Sequence, residues 1–296
     1  MADPEPSPPH GNRPVNARLS SSELSTGATV SWRELGNPAG VPMLWIHGGS
    51  VEDSSMMVRD LEPFFDQLRV ICPDARGHGR SSRFESPDEY VWSKKCDDVV
   101  ALLDVLGVER AIWGGNSMGA ALSLWAGIHH PGRVRAIIDI SGPPAQTDHH
   151  EHRWWRDHRA LVAEGRFAEY YEANVLRRSG PEAVAKIKAR PERYREITDL
   201  LHRHTTASFL ALLDETFNRP GWIDQCARIT APTLVIGGSE DIFPDVEQTR
   251  DVARAIPHST LHIVEGGPHF PNRTHRSEVQ AVIGTFLIRH GLNHSP

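Results

Sequence analysis

Short apolar runs recur along the chain, each stopped by glycine or a polar turn. They read PMLWIHGG from residue 42, RVICPDARGHG from 69, AIWGG from 111, VRAIIDIS from 134, TLVIGG from 233 and TLHIVEGG from 260. Apolar runs of this length, bounded by turn residues, predict strands buried on both faces of a sheet. An earlier segment, ATVSWRELG from Ala28, predicts a strand ending in a Gly-Asn-Pro turn at 36–38. Helical spacing fills the gaps. Glu52 to Phe65 places Met56, Met57, Leu61 and Phe64 on one side. Ser86 to Leu106 predicts a strong helix, with Ser86 and Glu89 spaced as a capping box, Pro87 in the first turn and Gly107 as the stop. Further helices are predicted over Ser117–His130, Val246–Ala255 and Ser277–His290. A strand, a helix and a strand in succession imply parallel pairing through a right-handed crossover.

The pattern breaks between about 145 and 225, where charged helical patches replace strand-like runs. The predicted organisation is therefore α/β: a mostly parallel, doubly wound sheet interrupted by a helical cap insertion. Residues 1–20, rich in Pro, Ser and Asn, are expected to be a disordered tail. Residues 21–143 and 227–296 form the core, and 144–226 form the cap. Composition narrows the partners. Hydrophobic residues make up 39% and charged residues 24%, and the net charge is −6. That balance gives no electrostatic reason to expect nucleic acid or an anionic membrane. Three scattered cysteines, Cys72, Cys96 and Cys226, match neither a disulfide framework nor a metal spacing. The acidic, proline-rich N-terminus is unlike a signal peptide, and no run approaches the roughly 18 apolar residues of a membrane span. A cytoplasmic monomer or homodimer acting on a small molecule is expected.

Ligands bind beyond the carboxyl ends of strands in open parallel sheets, so the residues just after each run carry the candidate chemistry. They include His47, Gly48, Gly49 and Ser50; Asp74 to Gly79; Ser117; Ser141 and Gly142; Glu240 and Asp241; and His269. A serine, an acid and a histidine thus stand at three strand ends in that order. Ser117 lies in Gly115-Asn116-Ser117-Met118-Gly119, where a strand becomes a helix. A serine there can be a helix cap. A sharp turn with flanking glycines also exposes its hydroxyl, and the new helix aims N–H groups at it, including that of Met118. The amphipathic continuation through Ala121, Leu122 and Trp125 favours the nucleophile. Asp241 is the expected acid, with Glu240, Asp245 and, from another strand, Asp139 as competitors. Asp139, inside its run, is expected to point away from the strand end. His269, after two glycines and Pro268, is the expected base among 17 histidines. His262 and His275 are expected to serve packing or surface.

The insertion carries Trp154, Trp155, Tyr170, Tyr171, Phe209 and Trp222, an expected apolar roof. Trp154, Trp155 and Trp222, with Ser50 and Phe270, are the expected pocket residues. TDHHEHRWWRDH at 147–158 invites a metal reading, but adjacent histidines splay around a helix, so a solvated helix entry and no metal are expected. Nucleotide-cradling glycine spacings are absent from residues 74–82.

Taken together, His47-Gly48-Gly49, Asp74-Ala75-Arg76-Gly77-His78-Gly79-Arg80-Ser81, the Ser117 motif, Gly238-Ser239-Glu240-Asp241 and Gly266-Gly267-Pro268-His269 resemble the α/β-hydrolase fold superfamily over nearly the whole chain. The resemblance implies a serine hydrolase with a helical cap. Ser117, Asp241 and His269 would be its catalytic triad, and the Gly49 and Met118 N–H groups its oxyanion hole. It implies cleavage of a carboxylic ester or lactone of a small, largely apolar substrate through an acyl-enzyme, without a cofactor. The Gly-Asn-Ser-Met-Gly elbow is similar to that of carbon–carbon bond hydrolases acting on vinylogous diketones. Ser50-Val51-Glu52 and Phe270 differ from the Gly-Pro-Gly and Trp usual in that subfamily. A cofactor-free haloperoxidase-like member is the other enzymatic alternative.

Overall fold

Every apolar run becomes a strand of one sheet. The computed structural model describes residues 17–49, 51–143, 149–218 and 220–293. Its strands are β1 (Arg18–Glu23), β2 (Thr29–Gly36), β3 (Val41–Ile46), β4 (Leu68–Pro73), β5 (Ala111–Asn116), β6 (Val134–Ile140), β7 (Thr233–Gly238) and β8 (Ser259–Val264). They lie in the order β1-β2-β4-β3-β5-β6-β7-β8. β1 and β2 are antiparallel additions at one edge, and the other neighbours run parallel. The chain steps from β3 to β4 on one side and then crosses to β5 on the other, so the carboxyl ends of β3 and β5 flank the topological switch point.

Helices cover both faces: α1 (Trp92–Val105), α2 (Met118–His129) and α7 (Val246–Ala255) on one, α9 (Arg276–Arg289) on the other. Alternation along the strands serves both layers. Leu44, Trp113, Ile137 and Val235 pack with Leu102, Leu122 and Val252. Met43, Trp45, Ile138 and Leu234 pack with Val279, Ile283 and Phe286. This two-sided burial is why the strand sequences are continuously apolar.

Between β6 and β7 lie α3 (His149–Ala163), α4 (Phe167–Lys188), α5 (Pro191–Leu201) and α6 (Thr206–Asn218). They bury a separate core of Trp155, Val162, Phe167, Tyr170, Phe209 and Phe217. No helix among the described residues is long and apolar enough to cross a membrane.

Three local expectations differ from what forms. The predicted tail reaches residue 20, yet Arg18–Glu23 pairs along its length with β2; residues 1–16 lie outside the described residues. Glu52–Phe65 is not a helix but two 3₁₀ turns, Ser54–Met57 and Glu62–Phe64. Its N–H groups turn to side chains instead of i−4 carbonyls: Ser54 donates to Asp74 (2.8 Å) and Ser55 to Asp53 (2.8 Å). The α-helix predicted from Ser86 starts only at Trp92, and the Ser86 side chain makes no cap. Glu89, which would close the capping box, is taken instead by Arg76 (2.9 Å) and Lys94 (2.5 Å).

Candidate functional site

The site is assembled at the switch point. Ser117 sits between β5 and α2 with φ 51° and ψ −111°, a left-sided conformation rare for a residue with a Cβ. Its N–H is held by the Ile140 carbonyl (2.8 Å), and its carbonyl accepts the Ala121 N–H (2.9 Å). The flanking glycines let this turn press against the end of β3. A Cβ on Gly115 would lie 2.0 Å from the Ile46 oxygen, and one on Gly119 2.2 Å from the same atom.

The loop after β3 is fixed from below. His47, fully buried, accepts the Ala75 N–H at Nε2 (3.0 Å), so its ring proton sits on Nδ1 and is donated to the Gly48 carbonyl (2.6 Å). The 74–82 loop is a buried brace, as its sequence suggests. The Asp74 carboxylate accepts N–H groups from Ser54 (2.8 Å) and Arg80 (3.0 Å), and Arg76 forms a two-point ion pair with Asp98 (2.7 and 2.8 Å). Above this brace Gly49 faces Met118: a Cβ on Gly49 would be 3.4 Å from Met118 Cβ. Neither the Gly49 nor the Met118 N–H donates to an acceptor among the described residues. The Gly48 N–H is instead bound by the carboxylate of buried Glu52 (2.8 Å).

Of the four candidate acids, Asp241 meets the histidine. His269 Nδ1 donates to its carboxylate at 2.9 and 3.1 Å, with both side chains buried. The two loops are joined by backbone contacts: the Glu240 N–H donates to the Gly267 carbonyl (2.9 Å), and a Cβ on Gly238 would be 2.0 Å from that oxygen. Glu240 is exposed, and Asp245 caps α7 by accepting the Gln248 N–H (2.8 Å). Asp139 instead accepts the Gly142 N–H (2.7 Å), just beyond the end of β6. Burial alone would raise the Asp241 carboxyl. The charge and hydrogen bond of His269, the Phe243 N–H (2.9 Å) and the facing Ser141 hydroxyl outweigh it and hold the group below the usual carboxylate range. The Ser141 hydroxyl does so by proximity, without a hydrogen bond of ordinary geometry. Burial pushes His269 below the usual histidine range. Asp241 opposes this shift, Arg178 of α4 adds to it, and Glu52 opposes it. Ser117 and His269 make no hydrogen bond to each other in this structure.

Phe270 borders the site, its ring 4.5 Å from that of His269 and its edge beside Gly48. Trp154 stacks on His158 (4.3 Å) under the Arg177 guanidinium (4.4 Å). Two expected pocket residues pack elsewhere. Trp155 is buried against Phe217 and Tyr170 within the insertion, donating to Asp214 (2.8 Å). Trp222 is wedged between Trp92 of α1 and Trp125 of α2. Ser50 and the side chains of His149, His150 and His152 lie outside the described residues. No group of three metal-ligating side chains converges among the described residues. Glu52, Arg178, Ser141 and Arg273 also border this site. Glu52 and Arg273 carried no local signal, because their partnership spans 221 residues of sequence.

Comparison with known proteins places the fold. The model of the family described as alpha/beta hydrolase fold matches residues 41–275. The chain is 32% identical to 3-oxoadipate enol-lactonase 2 of Acinetobacter baylyi over 221 residues, 74% of this chain and 78% of that protein. It is 25% identical to a 2-hydroxymuconate semialdehyde hydrolase of a Pseudomonas species over 290 residues, 93% of this chain and 96% of that protein. Its backbone superposes on the enol-lactonase from Burkholderia xenovorans with a TM-score of 0.75 at 22% identity, covering 91% of this chain and 100% of that one.

Proposed function

The chain belongs to the alpha/beta hydrolase fold family, and we propose that within it this protein is a serine hydrolase that cleaves a small carboxylic ester or lactone through an acyl-enzyme. The observation that carries the reading is the buried Asp241–His269 pair on the same sheet edge as the strained Ser117 turn. In this mechanism His269 Nε2 takes the Ser117 proton as the hydroxyl attacks the acyl carbon. Asp241 holds the Nδ1 proton and stabilises the imidazolium. The unbonded N–H groups of Gly49 and Met118 receive the oxyanion. Collapse of the tetrahedral intermediate expels the alkoxide, which takes the proton from His269 Nε2 and leaves as the alcohol; neutral His269 then activates water to release the acyl group. The Ser117–His269 hydrogen bond forms when substrate closes the site, as is common for such pairs. The helical insertion serves as a cap, with Trp154 and Phe270 at the pocket wall. The similarity to an enol-lactonase supports the lactone arm, and that to a semialdehyde hydrolase supports a second reading, cleavage of a carbon–carbon bond in a vinylogous diketone.

A fluorophosphonate probe and parallel assays on p-nitrophenyl esters, lactones and vinylogous diketones test the proposal. Labelling should vanish in Ser117→Ala and persist in Ser141→Ala. Asp241→Asn should lower kcat by roughly 10⁴-fold. An unlabelled, folded wild-type protein would sink the serine-hydrolase reading. Turnover of the diketone alone would replace the ester and lactone arms.

A further inference from the structure

We propose that Glu52 and Arg273 form a strut that positions the oxyanion loop against the histidine loop, and that the Glu52 carboxylate gives the His269 imidazolium a second negative neighbour. The inference rests on the serine-hydrolase reading and adds two positioning residues to it. Glu52 is 6% exposed and uses both carboxylate oxygens. One accepts the Gly48 N–H (2.8 Å), and the other accepts Arg273 Nη2 (2.7 Å). The Arg273 guanidinium in turn lies 4.2 Å above the Phe270 ring, whose centroid is 4.5 Å from that of His269. A continuous line of contacts therefore runs from Gly48, through Glu52, Arg273 and Phe270, to His269.

A second tie runs parallel to it. Asn272, beside Arg273 in the short helix α8 (Pro271–Thr274), donates to buried Asp60 (2.8 Å), which also accepts Trp45 Nε1 (3.0 Å). The segment after β3 thus grips the segment after His269 at two points. Binding the Gly48 N–H to Glu52 also has a consequence for the next residue: with Gly48 turned to a carboxylate, the following N–H, on Gly49, is the one left for an oxyanion.

The charges around His269 define the electrostatic half. Asp241 and Glu52 favour its protonated form, while burial and Arg178 disfavour it. Arg273 pairs with one oxygen of Glu52, and Asp60 feels the positive charges of both Arg273 and Arg276. A charge on Glu52 is fixed in place by its ion pair, so it acts in the ground state and in the transition state, where the imidazolium forms.

Two near-isosteric variants separate position from charge. Glu52→Gln keeps an acceptor for Gly48 and removes the charge. It should lower kcat by about tenfold to a hundredfold and move the acid limb of the kcat/KM profile to lower pH. Arg273→Gln keeps the Glu52 charge and cuts the strut. It should lower kcat to a similar extent without moving the limb downward, and Arg273→Lys should recover part of the loss. KM for a small p-nitrophenyl ester should stay unchanged in all three, because both residues act through the loops they join. The rate of fluorophosphonate labelling of Ser117 should fall in parallel with kcat. Thermal unfolding of each variant accompanies these measurements; Arg273, partly exposed, is the substitution least able to unfold the chain. Wild-type kcat and an unmoved limb in both Gln variants overturn the proposal, as does a change confined to KM. These outcomes are read against a wild type that is labelled at Ser117; an unlabelled wild type overturns the underlying serine-hydrolase reading instead.

Discussion

Two aspartates close to the same sheet edge meet opposite fates, and single contacts decide which. Asp241 finds an imidazole and keeps its charge. Asp139, two strands away from β8 in the parallel sheet, finds one backbone N–H, and its second oxygen has no hydrogen-bond partner. Burial raises its pKa to about 7, with the Gly142 N–H opposing the shift. An acid whose folded pKa exceeds its unfolded value stabilises the fold only while protonated. Its contribution is whole below the unfolded value near 3.9 and is lost as pH rises to about 7. Asp139→Asn, which keeps the acceptor for Gly142, should therefore stabilise the protein at pH 8 by about 2–4 kcal/mol, with little gain at pH 4. Urea denaturation at the two values checks this, and equal changes at both would refute it. Asp241 lies on the turn after β7, where the imidazole reaches it, whereas Asp139, inside β6, is taken by the Gly142 N–H just past its own strand. The sequence was silent on Glu52, since nothing near residue 52 foretells an arginine at 273.

At the scale of elements, the strand–helix turn at Ser117 shows how close approach is written in glycine. Both flanking glycines abut the backbone of Ile46, so the turn touches β3 and not merely its side chains. A Cβ at Gly119 would lie 2.2 Å from a carbonyl oxygen that cannot rotate away. Gly119→Ala should cost about 1–3 kcal/mol or more and lower activity as the elbow shifts. Gly132→Ala, where a Cβ would meet nothing within 4 Å, is the control. Equal unfolding midpoints for the two variants would contradict this account. Strands and most helices were legible because burial on two faces or one leaves a strong pattern. The misplaced start of α1 and the absent helix at 52–65 share another cause. Caps and first turns depend on which side chain reaches a donor first, and there Arg76, Asp74 and Asp53 won through contacts that periodicity does not encode.

At the scale of the molecule, packing and a buried charge pair join the helical insertion to the rest of the fold. Leu212 of α6 lies over Gly77 of the braced loop, beside Tyr90, and Arg83 reaches the Leu200 carbonyl of α5 (3.3 Å). Between them Lys95 of α1 pairs with Glu215 of α6 at 3.2 Å, the lysine side chain fully buried and the glutamate 10% exposed. Such a pair gains little net stability because desolvation offsets attraction, but removing one member strands the other charge. Lys95→Met should cost about 3–5 kcal/mol and speed proteolysis within α3–α6 before the sheet is cut. Lys95→Met with Glu215→Leu should restore the wild-type unfolding free energy or exceed it by up to about 4 kcal/mol. The double substitution separates the two forms of attachment. If the insertion docks by apolar packing, the doubly apolar variant keeps it in place and the protease pattern returns to that of the wild type. If the double variant is as unstable as the single one, the charge pair itself holds the insertion, and packing around Leu212 is too weak to replace it.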